Sequence, residues 1–336
     1  MAGRLPRIGA PHLTPIPMTD WRPGLHALAV EHGLDPRRTR ALLALVDDTP
    51  PPRLPERLLP AVLAVGALLV GLGVVMWIAA NWADWGRVTK FGLLQALVAT
   101  SLLGTWALPR LRPALGLLAL LGQGALFAYF GQTYQTGADP WQLFTLWAAL
   151  AVPLGLAVRH DAVWAPWTLV ATLAVVLWVQ AHSGHRWASD ADSATPQLWG
   201  ALALVGLATA LSPWAQRWHG AGLWAWRAQG VWGVGVITGW ALMAVFSTDW
   251  AAQFFWLGLL LLAAAAALWR QGDLVMLSST AMALNVWALA GFGRWLFDGN
   301  GRDWLGQAFL FGLVAAGLLA GTVSLLMRRH RDGGAA

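Results

Sequence analysis

The amino-acid sequence predicts an all-α polytopic membrane protein, a bundle of about ten transmembrane helices with a short cytoplasmic N-terminal helical hairpin. Three observations predict this fold class. Apolar stretches of about twenty residues recur from residue 61 to residue 327, and helices of that length cross a hydrocarbon layer of roughly 30 Å. Charged residues make up 11% of the 336 residues, against about 25% in soluble proteins. Many of the 24 tryptophans lie where an apolar stretch meets a loop, as expected at membrane interfaces.

The first predicted element is a pair of short helices in a cytoplasmic tail, 1–48. Gly33 is a suitable end for the first helix, and Asp35 followed by Pro36 is typical of the N-cap and first turn of a second helix. About thirty residues bury too little surface to be stable alone, so we expect this hairpin to pack on another surface. The Pro-rich segment 49–60 is predicted to be a stiff linker.

The apolar stretches then form a membrane domain, 61–327, followed by a C-terminal tail, 328–336. The connections between stretches are short, so consecutive helices are expected to be antiparallel neighbours. The predicted spans are 61–80, 91–109, 114–130, 141–158, 162–180, 197–214, 228–246, 251–269, 274–292 and 307–327.

The distribution of basic residues predicts the orientation. Most of the 22 Lys and Arg fall on the side of the two termini, which is therefore predicted to be cytoplasmic. The predicted outer loops hold Arg87, Lys90, Arg186, Arg294 and Arg302. All Lys and Arg positions of the chain hold arginine except Lys90, and this bias fits a high-GC bacterial genome. The predicted location is therefore the inner (cytoplasmic) membrane of a bacterium, with both termini in the cytoplasm.

Several kinds of chemistry are disfavoured by composition. The chain has no cysteine, which excludes disulfides, thiolate catalysis and Cys-ligated metals. No predicted span carries a charge near its middle, whereas proton-coupled pumps, ion exchangers and voltage sensors generally need one. The two glutamates, Glu31 and Glu56, both precede the membrane domain. We therefore expect no catalytic residues, no cofactor and no enzyme activity, and a basic hairpin of two helices does not predict a nucleic-acid partner.

The polar loop 131–140 is the first candidate for a binding surface. Gly131 and Gly137 are expected in turns, and Asp139 with Pro140 is expected to begin the fourth span. The other polar side chains of the loop exceed what a turn requires. Together with Gln123 and Asn81, the candidate binding residues are Gln132, Thr133, Tyr134, Gln135, Gln123, Asn81 and Asp139.

Polar and small residues inside the spans allow two interpretations. Gln123 and Asn285 can hydrogen-bond between helices or can line a polar pocket. Gly317 and Gly321, like an earlier GxxxG pair at 235–239, permit close helix packing, either inside the protein or with a partner.

Two outer loops resemble metal sites weakly. His182, His185 and Asp190 could gather around zinc or copper, but no helical spacing fixes a third ligand. Segment 298–303 lacks the spacing and the bidentate glutamate of a calcium loop. No metal site is predicted, and these three residues remain weak candidates.

Two segments carry a resemblance to a known family. The first, 71–85, contains Asn81 and Trp82, and the second, 121–178, contains Gly131, Gln132, Tyr134, Asp139 and Pro140. With the tail hairpin they resemble an uncharacterised bacterial membrane-protein family, domain of unknown function 2157, over residues 20–180. The resemblance implies an inner-membrane protein and no known activity.

Two functions remain open from sequence. The first is a non-enzymatic structural or assembly subunit, whose partners are the lipid bilayer and other membrane proteins. The second is a passive carrier or flippase for a neutral or lipidic small molecule, with the 131–140 loop near its mouth. A closely packed bundle with an exposed apolar or glycine-lined face would favour the subunit, and a continuous polar cavity reaching mid-membrane would favour the carrier.

Overall fold

The computed structural model describes residues 22–47, 54–81, 84–134, 137, 139–184, 189–247, 251–298 and 304–333. Within these residues the secondary structure is helical, with no strand, which confirms the predicted all-α class. The chain divides into two compact units, Met1–Val62 and Leu63–Ala336. The helices are α1 (Arg22–Glu31), α2 (Pro36–Asp47), α3 (Leu54–Ala80), α4 (Arg87–Ala107), α5 (Arg112–Tyr134), α6 (Pro140–Val158), α7 (Asp161–His182), α8 (Ala191–Ala210), α9 (Gln216–His219), α10 (Leu223–Val245), α11 (Ala252–Gln271), α12 (Leu274–Phe297) and α13 (Trp304–Gly333).

Helices α1 and α2 form a hairpin at the predicted place. Gly33 has a φ of +58°, the left-handed conformation that ends many helices and that glycine adopts without steric cost. The Leu34 N–H closes the turn by donating to the Ala29 carbonyl oxygen at 2.9 Å. Asp35 then precedes Pro36, the first residue of α2, as the sequence predicts.

The predicted spans correspond to the long helices. Among the described residues, eight helices are long and apolar enough to cross a membrane, and α8 with the bent segment after it makes a possible ninth. Helix α3 contains the predicted first span, and its crossing of the membrane stays a prediction. It begins at Leu54, so the last residues of the predicted linker are helical. Pro55 is the second residue of α3, where the missing N–H has no intrahelical acceptor to lose.

The sixth predicted span, 197–214, is longer at its C-terminal end than the helix that forms. Helix α8 ends at Ala210, and the chain bends by 53° before the next helical segment, Pro213–His219. Ser212 is extended, with ψ at 158°, because the ring of Pro213 disfavours the helical region for the residue before it.

Helix α10 is the central helix of the second unit and packs on α7, α8, α11 and α12. Its N-terminal N–H groups have no intrahelical acceptor, and Asp161, the first residue of α7, accepts three of them. The donors are the N–H groups of Gly222, Trp224 and Ala225, at 2.6, 3.1 and 3.3 Å from the carboxylate oxygens. The carboxylate also complements the positive end of the helix dipole.

The C-terminal end of α10 is held by a cation from α12. Arg294 Nη1 donates to the carbonyl oxygens of Val245 and Ser247, the latter at 2.6 Å. These carbonyls belong to the end of the helix, where they lack intrahelical donors and where positive charge is favourable. Helix α10 is therefore held at both ends by charged side chains from helices that are not its neighbours in sequence.

An ion pair joins α10 to α12 at the other end of α12. Arg227 donates from Nε and Nη2 to Asp273 Oδ2 at 3.0 and 2.8 Å, while Asp273 Oδ1 accepts the Met276 N–H as the N-cap of α12. Burial raises the pKa of Asp273, but the hydrogen bonds from Arg227 and Met276 and the charge of Arg227 lower it by more. The pKa of this carboxyl therefore lies below its ordinary value.

Candidate functional site

A groove between α4, α5 and α6 is the candidate functional site. Helices α4 and α6 both pack on α5, and glycines allow the close approach. A β-carbon at Gly104 of α4 would lie 2.8 Å from the Cδ1 of Leu115, and one at Gly124 of α5 would lie 2.3 Å from the Trp147 ring of α6. The groove lies between α4 and α6, which are separated by α5.

The inner part of the groove is a cavity of about 670 Å³. Its polar lining residues are Thr105 of α4 with Arg112 and Gln123 of α5, and Pro153 of α6 lines it at mid-helix. The remaining walls are apolar and comprise Val98, Leu102, Trp106, Ala119, Leu126, Phe127, Leu150, Leu154 and Ala157.

Arg112 is placed by the turn that joins α4 to α5. Its Nε–H donates to the Thr105 carbonyl oxygen at 3.2 Å. This carbonyl lies in the last turn of α4, where backbone acceptors lack helical donors and a cation is favourable. The guanidinium is therefore oriented at one end of the cavity, opposite the amide of Gln123, which lies roughly three turns further along α5.

The outer part of the groove is a second cavity of about 540 Å³, lined in part by Gln95, Asp139 and Gln142. Leu126 and Phe127 line both cavities. The outer cavity thus continues the inner one past two apolar side chains.

The structure places two of the predicted binding residues in this groove, with Gln123 in the inner cavity and Asp139 in the outer one. Asp139 is the N-cap residue of α6 by position, and Pro140 is the first residue of that helix, as predicted. The side chain of Asp139 makes no capping hydrogen bond. Its placement in the outer cavity is an arrangement that the capping interpretation did not anticipate.

The segment 131–134 is helical, and the prediction that Gly131 makes a turn is wrong. Helix α5 continues to Tyr134, and Gly131 instead allows close packing, since a β-carbon there would lie 3.2 Å from Leu143 Cδ1. Gly137 has a φ of +66°, as expected for a turn glycine. The turn is therefore shorter than the sequence predicts.

The other predicted binding residues that the structure describes are not in the groove lining. Gln132 and Tyr134 are exposed on the last turn of α5, and Thr133 is half-buried. The Tyr134 ring contacts Phe130, with ring centroids 4.8 Å apart. Asn81 Nδ2 donates to the Trp77 carbonyl oxygen at 2.8 Å at the end of α3. Gln135 and Trp82 lie outside the described residues.

The two described metal candidates make other contacts. The His182 ring stacks on Trp178 at 4.3 Å, and its Nδ1 lies 2.8 Å from the Trp178 carbonyl oxygen. Asp190 is the N-cap of α8 and accepts the Ser193 N–H at 3.0 Å. His185 and residues 299–303 lie outside the described part of the chain, within which no three His, Asp or Glu residues are grouped as a metal site.

Three groove residues were missed as site candidates. They are Gln95, Arg112 and Gln142, which line the two cavities. The spacing of three residues between Asp139 and Gln142 is a helical spacing and could have indicated a shared face. Both cavities combine apolar walls with a few polar side chains, so the groove is suited to binding an amphipathic molecule.

Comparison with known proteins gives a match to a protein-family model. Residues 26–164 match the model of a family described as "Predicted membrane protein", domain of unknown function 2157, which confirms the resemblance over that segment. The groove between α4, α5 and α6 lies inside the matched segment. No curated protein and no solved structure matches the chain.

Proposed function

We propose that this chain, which resembles those predicted membrane proteins over residues 26–164, is a non-enzymatic structural or assembly subunit of a bacterial inner-membrane complex. Both termini lie in the cytoplasm, in accordance with the distribution of Lys and Arg. The exposure of α13 is the observation that carries the proposal.

Helix α13 packs one face on α12, but most of its described residues are exposed. None of its apolar membrane window is buried, whereas half of the corresponding windows of α5, α7 and α10 is buried. A β-carbon at Gly317 or Gly321 would have no atom within 4 Å, so this face is open to a neighbouring helix. Because association of membrane helices depends on close packing at small residues, the open glycine face supports a partner helix.

A buried polar group near the same face supports this proposal. Thr322 of α13 donates to Asn285 Oδ1 of α12 at 3.0 Å, and the buried Asn285 Nδ2 has no acceptor among the described residues. Both residues line the groove that also contains Gly317 and Gly321. A partner helix that supplies an acceptor here would complete the hydrogen bonding of the amide.

The N-terminal hairpin supplies a second contact surface. Ala29 is buried, but Leu28 and Val30 are 48% and 74% exposed. Exposed apolar side chains on a unit this small favour packing on another protein surface in the cytoplasm.

Affinity purification from native membranes in a mild detergent, followed by quantitative mass spectrometry, tests the proposal. We expect a second membrane protein in stoichiometric amount, lost when residues 1–47 are deleted and lost in Gly317→Leu and Gly321→Leu. Gly206→Leu is the matched control, because a β-carbon there also meets no atom within 4 Å. Purification as a single polypeptide, or equal capture by all variants, would overturn the proposal.

The second candidate function is a passive carrier or flippase for a neutral or lipidic molecule. It is favoured by the two adjoining cavities between α4, α5 and α6. Movement of a labelled lipid between leaflets of vesicles that contain only this purified protein would support it, and movement equal to that in protein-free vesicles would reject it.

A further inference from the structure

We propose that the inner cavity between α4, α5 and α6 binds one anionic phospholipid, with the phosphate on Arg112 and one acyl chain along the apolar walls. This binding site is independent of the proposed partner at α13. Three features support this site: hydrogen-bond donors of Arg112 that no described residue uses, the length of the cavity along α5, and the position of its polar end.

Arg112 offers donors that the described protein residues do not use. Its Nε–H donates to the Thr105 carbonyl oxygen, which fixes the plane of the guanidinium, and no acceptor among the described residues takes its Nη groups. A guanidinium held in this way presents parallel N–H donors, the arrangement that suits bidentate binding of phosphate. The polar end of the cavity is thus complementary to an anionic headgroup.

The length of the cavity along α5 matches the hydrocarbon thickness of one leaflet of the bilayer. Arg112 and Gln123 lie about 16 Å apart along α5, at 1.5 Å per residue. Half of a roughly 30 Å hydrocarbon layer is about 15 Å. An acyl chain whose headgroup is at Arg112 therefore ends near Gln123, Leu126 and Phe127, which line the far end of the cavity.

Trp106 and Arg112 line the cavity at the helix ends that the distribution of basic residues predicts to be cytoplasmic. Trp106, 82% exposed, lines the cavity one residue from Thr105, and exposed indoles favour the headgroup level. Basic pockets between helices on the cytoplasmic side bind anionic headgroups. The occupant is thus a phospholipid of the cytoplasmic leaflet rather than a soluble phosphate compound.

Native mass spectrometry of the full-length protein tests the site, with added phosphatidylglycerol or phosphatidylethanolamine of identical acyl chains. We expect one phosphatidylglycerol to be retained, and Arg112→Gln to weaken its binding about tenfold or more, as expected for loss of charge-assisted hydrogen bonds. Arg110→Gln is the matched control, because Arg110 is exposed in the same turn but does not line the cavity.

A second pair of variants tests the acyl-chain position without altering Arg112. Leu150 lines the cavity and is 53% exposed, so Leu150→Trp should fill the groove and reduce phosphatidylglycerol retention. Leu156 is 44% exposed on the same helix but is not part of the lining, so Leu156→Trp should retain the lipid. Equal retention of both lipids by the wild-type protein, or equal retention of phosphatidylglycerol by all four variants, would overturn the proposal.

Discussion

Replacement of Asp161 tests the idea that α10 depends on a carboxylate from α7. Three N–H groups at the start of α10 donate to this carboxylate, two to Oδ1 and one to Oδ2. Asp161→Ala removes all three acceptor contacts and the negative charge at the helix N-terminus. Asp161→Asn removes the charge but keeps one acceptor oxygen.

The expected cost follows from the exposure of the three donors. The Gly222 and Ala225 bonds are partly buried, whereas the Trp224 bond is exposed and water can replace it. An unsatisfied buried donor costs about 1–3 kcal/mol, so Asp161→Ala should lower the free energy of unfolding by about 2–4 kcal/mol. Asp161→Asn should lower it by about 1–2 kcal/mol, because its oxygen can take the position of Oδ1 and accept the two partly buried bonds.

The assay is reversible unfolding in mixed detergent micelles, followed by circular dichroism, with hydrogen exchange to localise the effect. The amides at the start of α10 should exchange faster in Asp161→Ala than in the wild-type protein. The exposed Asp84 supplies a control, since Asp84→Ala removes a carboxylate without disturbing α10. If Asp161→Ala unfolds within about 0.5 kcal/mol of Asp84→Ala, the inferred role of the carboxylate is wrong.

The structure also predicts how Asp273→Asn and Gly124→Ala change the stability of the protein, with Gly206→Ala as a control. The pKa of Asp273 is lowered, so its stabilising contribution is present above its ordinary pKa, near 4, and disappears as the pH falls through the lowered value. The wild-type protein should therefore unfold at a higher temperature than Asp273→Asn at pH 7, with a gap that narrows below about pH 4, and a gap that stays constant down to pH 2 would contradict this. Gly124→Ala should lower stability by about 1–3 kcal/mol, because its β-carbon would lie 2.3 Å from the Trp147 ring, while Gly206→Ala should be neutral or stabilising by up to about 1 kcal/mol. Equal unfolding midpoints for the two alanine variants would contradict the packing argument.

The helices of the second unit could be predicted from hydropathy, since a lipid-embedded backbone must satisfy its own hydrogen bonds and has few alternatives to a helix. The ends of the helices were less predictable, because a helix does not have to stop where the apolar residues stop. Gln132 and Tyr134 continue α5 past the apolar run, whereas Ser212 interrupts an apolar stretch because a proline follows it.

The candidate site could be predicted only in part. Gln123 and Asp139 stood out as polar residues, but the role of Arg112 depends on its contact with Thr105 across the turn between two helices. In helices that are apolar on every side, periodicity does not indicate which faces meet. The groove therefore follows from packing at Gly104 and Gly124, which no local pattern reveals.

The position of Arg294 has a consequence for the order in which the chain is assembled during synthesis. The carbonyl of Val245 leaves the ribosome 49 residues before the arginine that will bind it. Until α12 has entered the bilayer, the end of α10 must hold water or lipid headgroups in place of that guanidinium. A nascent chain stopped after α11 should therefore retain a loose α10 terminus that is open to proteases, and insertion of α12 is the step that closes it.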